Sequence, residues 1–440
     1  MDVVLPQTRG GKETPLPAAL GIAGNRDDDP DLRRMRPGSD SRPEAIMFGS
    51  TPQLLLPPLR EFARRLPPLA ATVAFALACG SGQASSKPAR TDLVRVFTNG
   101  TQGYSCFRIP AIIRTPDGML LAFAEARRNS CADFGDVRIV MRRSRNGGRT
   151  WSQLRTVAEN GDLQAGNASP AVDLPDPRSP RGRVLLIYTT GNAPEAAVMR
   201  GKGARRVWYR TSVDDGAGWT APVEITASVK QPSWREYATG PGHALQLTEG
   251  AHAGRIIVAA YHSQGPPLPD GRSYEANTFF SDDHGSTWKL GGTVHAPGSN
   301  ESTPAQSAGG GVVLNSRDQS GSRARTVSIS GDGSERWNST FVARDLPDPE
   351  CEGSMIRYVA PNAPSVLLFS NPGNRRERRD LTISVSFDGG RTWPKHTVLY
   401  PGPAAYSDIV LLPKDQLGVL WERGGEGGIV FLKLPLKPLL

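Results

Sequence analysis

Residues 104–151 read YSCFRIPAIIRTPDGMLLAFAEARRNSCADFGDVRIVMRRSRNGGRTW, and this stretch decides the fold. Two apolar runs, Phe107 to Ile113 and Met119 to Ala124, flank a Thr-Pro-Asp-Gly turn. A third run, Val137 to Met141, feeds a Gly-rich turn ending at Trp151. Short apolar runs punctuated in this way predict a β-meander, the unit of an all-β fold. The charges within it are unusual: Arg108 lies inside the first strand, Arg127 ends the second, and Asp133 follows in the loop. An arginine in such a run is usually a sheet-edge or snorkelling side chain, so these three gain meaning only from partners elsewhere in the chain.

The turn that closes this stretch recurs. Ser144-Arg-Asn-Gly-Gly-Arg-Thr-Trp151 returns as Ser212-Val-Asp-Asp-Gly-Ala-Gly-Trp219, Ser281-Asp-Asp-His-Gly-Ser-Thr-Trp288 and Ser386-Phe-Asp-Gly-Gly-Arg-Thr-Trp393, with a degenerate copy at Ser330-Gly-Asp-Gly-Ser-Glu-Arg-Trp337. Each element of the pattern has a mechanical role: Asp or Asn hydrogen-bonds the turn backbone, Gly supplies a positive φ, and Trp packs beneath the hairpin. Gly218 replaces the usual Thr in the second copy and the degenerate copy is eroded, so weaker hairpins are expected at both. The intervals suit one four-stranded blade plus a variable loop, and residues 94–435 have room for roughly six. The expected fold is therefore an all-β, six-bladed β-propeller of four-stranded antiparallel blades, nearly free of helix because Gly and Pro recur so often.

The chain has 440 residues, a net charge of +9, 48 Gly and 38 Pro. The positive charge is scattered, which argues against a nucleic-acid-binding stripe and leaves a diffuse field that would attract an anionic substrate. Residues 1–46 are rich in Pro, Arg, Asp and Gly without apolar periodicity and are expected to be disordered. Met47 is an alternative start, so this extension need not be translated. Residues 47–93 resemble an export signal and linker: Arg60, Arg64 and Arg65 precede an apolar run from Leu66 to Leu77, and Ala76-Leu77-Ala78-Cys79 resembles a lipoprotein cleavage box. The run is too short to span a bilayer, so no transmembrane span is expected. The expectation is an exported protein, secreted, periplasmic or tethered through a lipid on Cys79. Of the four cysteines, Cys106 and Cys131 would pair in an oxidising compartment and leave Cys351 alone; unpaired buried thiols are the alternative.

The repeated turns resemble the Asp boxes of the sialidase (neuraminidase) superfamily, whose members carry them on a six-bladed propeller. The resemblance spans about 94 to 432 and is to the Asp-box (BNR) exo-α-sialidases of bacterial and lysosomal type, which share the turn Gly240-Pro241-Gly242. Asp boxes also occur on non-catalytic propellers, so site motifs must decide. Phe107-Arg108-Ile109-Pro110 matches the family's FRIP motif, which implies that Arg108 belongs to a carboxylate-binding arginine triad. Phe123-Ala-Glu-Ala-Arg127 with Asp133 matches the second motif, implying a pocket-lining Arg127 and an acid/base Asp133. Asn300-Glu301 and Asn315-Ser316-Arg317 match the catalytic glutamate and second triad arginine, and Arg378 aligns best with the third. Ala405-Tyr406-Ser407-Asp408 resembles the nucleophile motif, and Leu420-Trp421-Glu422 the strand whose glutamate steadies the first arginine.

The residue types suit one chemistry. A sialic acid carries a carboxylate on its anomeric carbon, which calls for planar, permanently charged arginine forks. The same carboxylate penalises an Asp or Glu nucleophile: two unit charges ~4 Å apart repel by roughly 4 kcal/mol at an effective dielectric of ~20, about three decades of rate. A neutral phenol avoids that repulsion but, with an ordinary pKa near ~10, needs a base, here Glu301. Asp136 competes with Asp133. Arg375, Arg376 and Arg379 compete with Arg378, and Glu352 with Glu301. Glu236 and Glu275 read as surface loop residues. Pro304 is expected to disturb a strand near Glu301.

No metal cluster, phosphate loop or nucleotide fingerprint occurs in the sequence, so no cofactor is expected. The reading is an exo-α-sialidase acting on sialylated glycoconjugates. The alternatives are a sialoglycan-binding propeller without catalysis, a trans-sialidase, or a hydrolase of a related keto-sugar.

Overall fold

The computed structural model describes residues 93–175, 180–360, 362–424 and 427–440. The expected extension at 1–46 and the export segment, Cys79 included, lie outside the described residues. Among these the protein is built almost wholly from strands in four sheets, with only two short α-helices, α1 (Glu195–Met199) and α2 (Thr226–Val229). Among the described residues, no helix is long and apolar enough to cross a membrane.

The opening stretch forms the meander read from it: β2 (Cys106–Arg114), β3 (Leu120–Arg127) and β4 (Val137–Ser144), with β5 (Arg155–Ala158) on β4. A second meander, β6 (Gln164–Asp173), β7 (Arg183–Gly191), β8 (Arg205–Ser212) and β9 (Val223–Glu224), joins the first through a single parallel pair, Val137 with Gln164. Next come β10 (Tyr237–Thr239) and β11 (Leu245–Gln246), both on β12 (Ile256–Ser263), followed by β13 (Tyr274–Ser281) and β14 (Lys289–Thr293). An isolated four-stranded sheet follows: β15 (Ser299–Gln306), β16 (Val312–Asp318), β17 (Ala324–Ser330) and β18 (Ser339–Pro347). The last sheet contains β19 (Ser354–Tyr358), β20 (Val366–Pro372), β21 (Arg379–Ser386), the long β22 (Lys395–Leu412), β23 (Gln416–Arg423) and β24 (Ile429–Pro435). Its far edge is β1 (Val94–Phe97), which pairs antiparallel with β24. Residues 395–403 of β22 pair with β21 and residues 404–412 with β23, so one strand serves two meanders.

All five repeated turns sit at the same place, where the third strand of a meander turns into the fourth. In each, the leading Ser Oγ accepts the backbone N–H four residues on and donates to the Asp or Asn carbonyl or carboxylate oxygen: Gly148, Gly216, Gly285, Ser334 and Gly390 are the N–H donors, at 2.7–3.0 Å. The eroded copy keeps this geometry. Arg336 takes the place of Thr, its backbone N–H and Nε both donating to Asp332 at 2.9 and 3.0 Å. The pairing of β24 with β1 joins opposite ends of the described chain rather than a hairpin, which leaves no place for another box. The turns also lock neighbouring meanders together, since Trp151 of the first box meets Phe431 on β24 edge-on at 5.6 Å.

Two expectations are corrected. Pro304 does not disturb β15: it sits within the strand, opposite Leu314 of β16. The reason is that β15 is an edge strand, so an absent N–H on its free side breaks no ladder bond. Neither Glu236 nor Glu275 is a surface loop residue: Glu275 lies in β13, and Glu236, just before β10, is buried.

Candidate active site

The first strands of four meanders share a defect. Register slips by a β-bulge between Arg108 and Ala111 in β2, Gly166 and Ser169 in β6, Ser299 and Ser302 in β15, and Ala404 and Ser407 in β22. A bulge leaves residues unpaired and re-aims their side chains. The residues freed here include Ile109, Asn167, Glu301 and Tyr406, and all four line one pocket. Ile109 and Asn167 adopt φ of 57° and 53°. For a β-branched isoleucine this is a strained conformation, of the kind that persists where its surroundings over-determine it.

Tyr406 is the centre. It is buried, and its Oη donates to Glu301, whose carboxylate oxygens lie at 2.6 and 2.8 Å. Arg317 Nη1 donates both to Glu301 Oε2 at 2.7 Å and to Tyr406 Oη at 3.1 Å. The guanidinium carbons of Arg108 and Arg378 lie 5.0 and 5.5 Å from the Tyr406 ring centre. The three arginines named from the sequence therefore converge on one phenol. Burial raises the Tyr406 pKa well above the ordinary phenol value, and the Glu301 charge pushes the same way against Arg317 and Arg108. At rest the phenol is protonated.

Glu422 holds Arg108 in a fork, with Nε at 3.2 Å and Nη2 at 3.1 Å, and also accepts the Ile109 N–H at 2.7 Å. Burial works against the charge on Arg108, but Glu422, Tyr406 and Asp133 more than offset it. Arg127 donates to Glu125 Oε2 at 2.7 and 3.1 Å, and its Nη1 reaches Cys131 O at 2.6 Å and Asp133 Oδ1 at 2.7 Å. Asp133 also lies 3.7 Å from Arg108 Nη1 and its side chain is 78% exposed, open to a leaving group or water.

The rivals stand elsewhere. Asp136 is buried in ion pairs with Arg128 and Arg138 at 2.8 and 2.9 Å. Glu352 accepts the Ser407 N–H at 3.0 Å rather than the phenol. Arg375 bonds the carbonyls of Arg323 and Arg344, and Arg379 pairs with Glu377 and Asp380. Cys106 and Cys131 are joined in a disulfide, and Cys351 is a free, buried thiol.

Several pocket residues escaped the sequence reading. Glu125 had a signal: it is a carboxylate in an apolar strand two positions before Arg127, hence on the same face. Asn167, Glu195 and Tyr261 had none, and Glu236, read as a surface loop residue, also lines the pocket. Glu236 pairs with Arg205 at 2.8 Å, yet burial and the nearby Glu195 outweigh that arginine and push its carboxyl up to about 7. Its Oε2 has no hydrogen-bond partner, which agrees with a carboxyl readily protonated.

Repeated meanders with boxed turns, and a pocket ringed by arginines and carboxylates around a buried tyrosine, define a propeller-like all-β scaffold with a highly charged central pocket. The family model for the BNR repeat-like domain matches residues 118–419, and the chain belongs to the sialidase (BNR-repeat) superfamily. It is 34% identical over 344 residues to a sialidase of Micromonospora viridifaciens, covering 74% of this chain and 51% of the relative. A sialidase of Bacteroides fragilis is 30% identical over 369 residues, covering 78% and 64%. The chain thus spans about half the length of the first relative and under two thirds of the second. Among solved structures, the Hadza microbial sialidase Hz136 superposes with a TM-score of 0.69 at 26% identity, covering 79% of this chain and 69% of that one. The intramolecular trans-sialidase of Ruminococcus gnavus shares the fold, with a TM-score of 0.63 at 16% identity, covering 79% and 98%.

Proposed function

We propose that this protein is an exo-α-sialidase, a retaining glycoside hydrolase that removes terminal α-linked sialic acids from glycoconjugates. The observation that carries this reading is the convergence of Arg108, Arg317 and Arg378 on a tyrosine whose hydroxyl is hydrogen-bonded to Glu301. The three guanidinium groups hold the substrate carboxylate, with Glu422 keeping Arg108 in place. Tyr406 Oη attacks the anomeric carbon and passes its proton to Glu301, while Asp133 protonates the departing oxygen. Asp133 then takes a proton from water, which displaces the tyrosine as Glu301 returns its proton to Tyr406 Oη, so two inversions give net retention.

We further read the meanders as six four-stranded blades of one closed ring, the last completed by β1. Export fits the Cys106–Cys131 bridge, because disulfides persist in oxidising compartments. The test is product NMR on a simple α-sialoside. Release of free sialic acid, first as the α-anomer, supports the reading. Release of the β-anomer contradicts retention, and no release at all favours a binding protein. A transfer product or an internal anhydride would instead identify a trans-sialidase.

A further inference from the structure

The loop that carries Asp133 is closed at its base by Arg128, which bonds Asp136 through its backbone N–H and Nε and accepts from Ser105 through its carbonyl. Residues 128–135 form no strand or helix, and all but Phe134 and Gly135 are exposed. Asp133 itself is anchored by Arg127 and Arg108, which also face the substrate pocket. The covalent tie is the disulfide. Cys106 stands opposite Arg127 in the β2–β3 ladder, two residues before Arg108, and Cys131 lies two residues before Asp133. The bridge therefore fixes the middle of the loop to the strand that bears the first triad arginine, and places the Cys131 carbonyl where Arg127 Nη1 binds it together with Asp133.

We infer that the Cys106–Cys131 bridge is a positioning element for the acid/base: it holds Asp133 over the pocket and contributes nothing directly to Tyr406 or Glu301. This rests on the sialidase reading. Tyr406, Glu301 and Arg317 are held by β22, β15 and β16, which the bridge does not touch. Opening the bridge therefore impairs proton delivery to the leaving oxygen and leaves carboxylate binding and nucleophilic attack in place.

That division has a kinetic signature. A sialoside with an unactivated sugar alcohol as leaving group needs the proton from Asp133 in its first step, whereas a 4-nitrophenyl sialoside departs as a stabilised phenolate and does not. The value of kcat/KM reports that first step for both substrates. The experiment compares wild type with the double variant Cys106→Ser/Cys131→Ser, and with wild type treated with dithiothreitol. That reagent supplies two electrons and two protons, giving two thiols and its own cyclic disulfide. Expected is a loss in kcat/KM of order 10²-fold on sialyllactose, within the range general acid catalysis supplies, against a change of less than about threefold on the nitrophenyl substrate. The retained aryl activity also serves as the check that the variant folds. Equal losses on both substrates would make the bridge merely structural, and no loss on either would mean the loop holds itself; both overturn the inference. A wild type that cleaves neither substrate would overturn the sialidase reading itself.

Discussion

Tyr406 and Glu301 illustrate how much a single pair can decide. The phenol is kept protonated by burial and by the Glu301 charge, while Arg317 touches both groups. Replacing Glu301 by Gln removes the proposed base but keeps a hydrogen-bond acceptor, and kcat should fall by about 10²–10⁴-fold with the fold intact; a loss under tenfold would show that the phenol needs no base. Glu236 gives a pH-dependent prediction. Its carboxyl value of about 7 in the folded protein lies above the ordinary 4.5, so the folded state binds the extra proton between these values. Stability must then fall as pH rises through that window. The melting temperature of wild type should drop between pH 5 and 7 relative to Glu236→Gln, and a relative rise would contradict the assignment. Arg108 and Arg127 stood out against their apolar strands, whereas Arg378 lies in a run of charges and only the family resemblance singled it out. Glu236 was not legible, since the charges that set its environment come from distant positions, Arg205 and Glu195.

Among the elements, the boxed turns were the most legible because the bonds that close them are local, the Ser hydroxyl and the Asp carboxylate accepting backbone N–H groups only three or four residues away. Asp388 accepts from Ser386, Arg391 and both the backbone and the hydroxyl of Thr392. Asp388→Ala should cost about 1–2 kcal/mol in chemical denaturation and leave kcat unchanged. Gly148 of the first box has φ of 84°, and a Cβ there would lie 2.0 Å from Phe431 Cε1. Gly148→Ala should therefore cost more than Asp388→Ala, and equal stability would refute the contact. The bulges were not legible: a register slip is defined only against a partner strand. The same limit explains Pro304, whose tolerance depends on β15 being an edge.

At the scale of the whole molecule, the chain is tied where β1 meets β24, and Val96 and Phe97 pack into a core with Phe107, Leu420 and Phe431. A chain beginning at Thr98 would lose those side chains and open the edge of β24. It should melt lower and self-associate in size-exclusion chromatography, because unpaired edges recruit other chains. An unchanged melt would mean that the pairing contributes nothing. Strand counting and turn spacing conveyed the repeated sheets, but the pairing of residues more than three hundred positions apart has no local signal. The choice between a disulfide and two buried thiols at Cys106 and Cys131 was open because it depends on how the strand and the loop that carry them approach in space.

The account stands on Tyr406 as the group that bonds to the sugar. A 2,3-difluorinated sialosyl donor forms the glycosyl-enzyme but slows its release, and peptide mapping by mass spectrometry then locates the label. The account predicts a single sialosyl adduct on Tyr406, absent from Tyr406→Phe. An adduct on Asp133 or Glu301, or rapid turnover in the Tyr406→Phe variant, would contradict it.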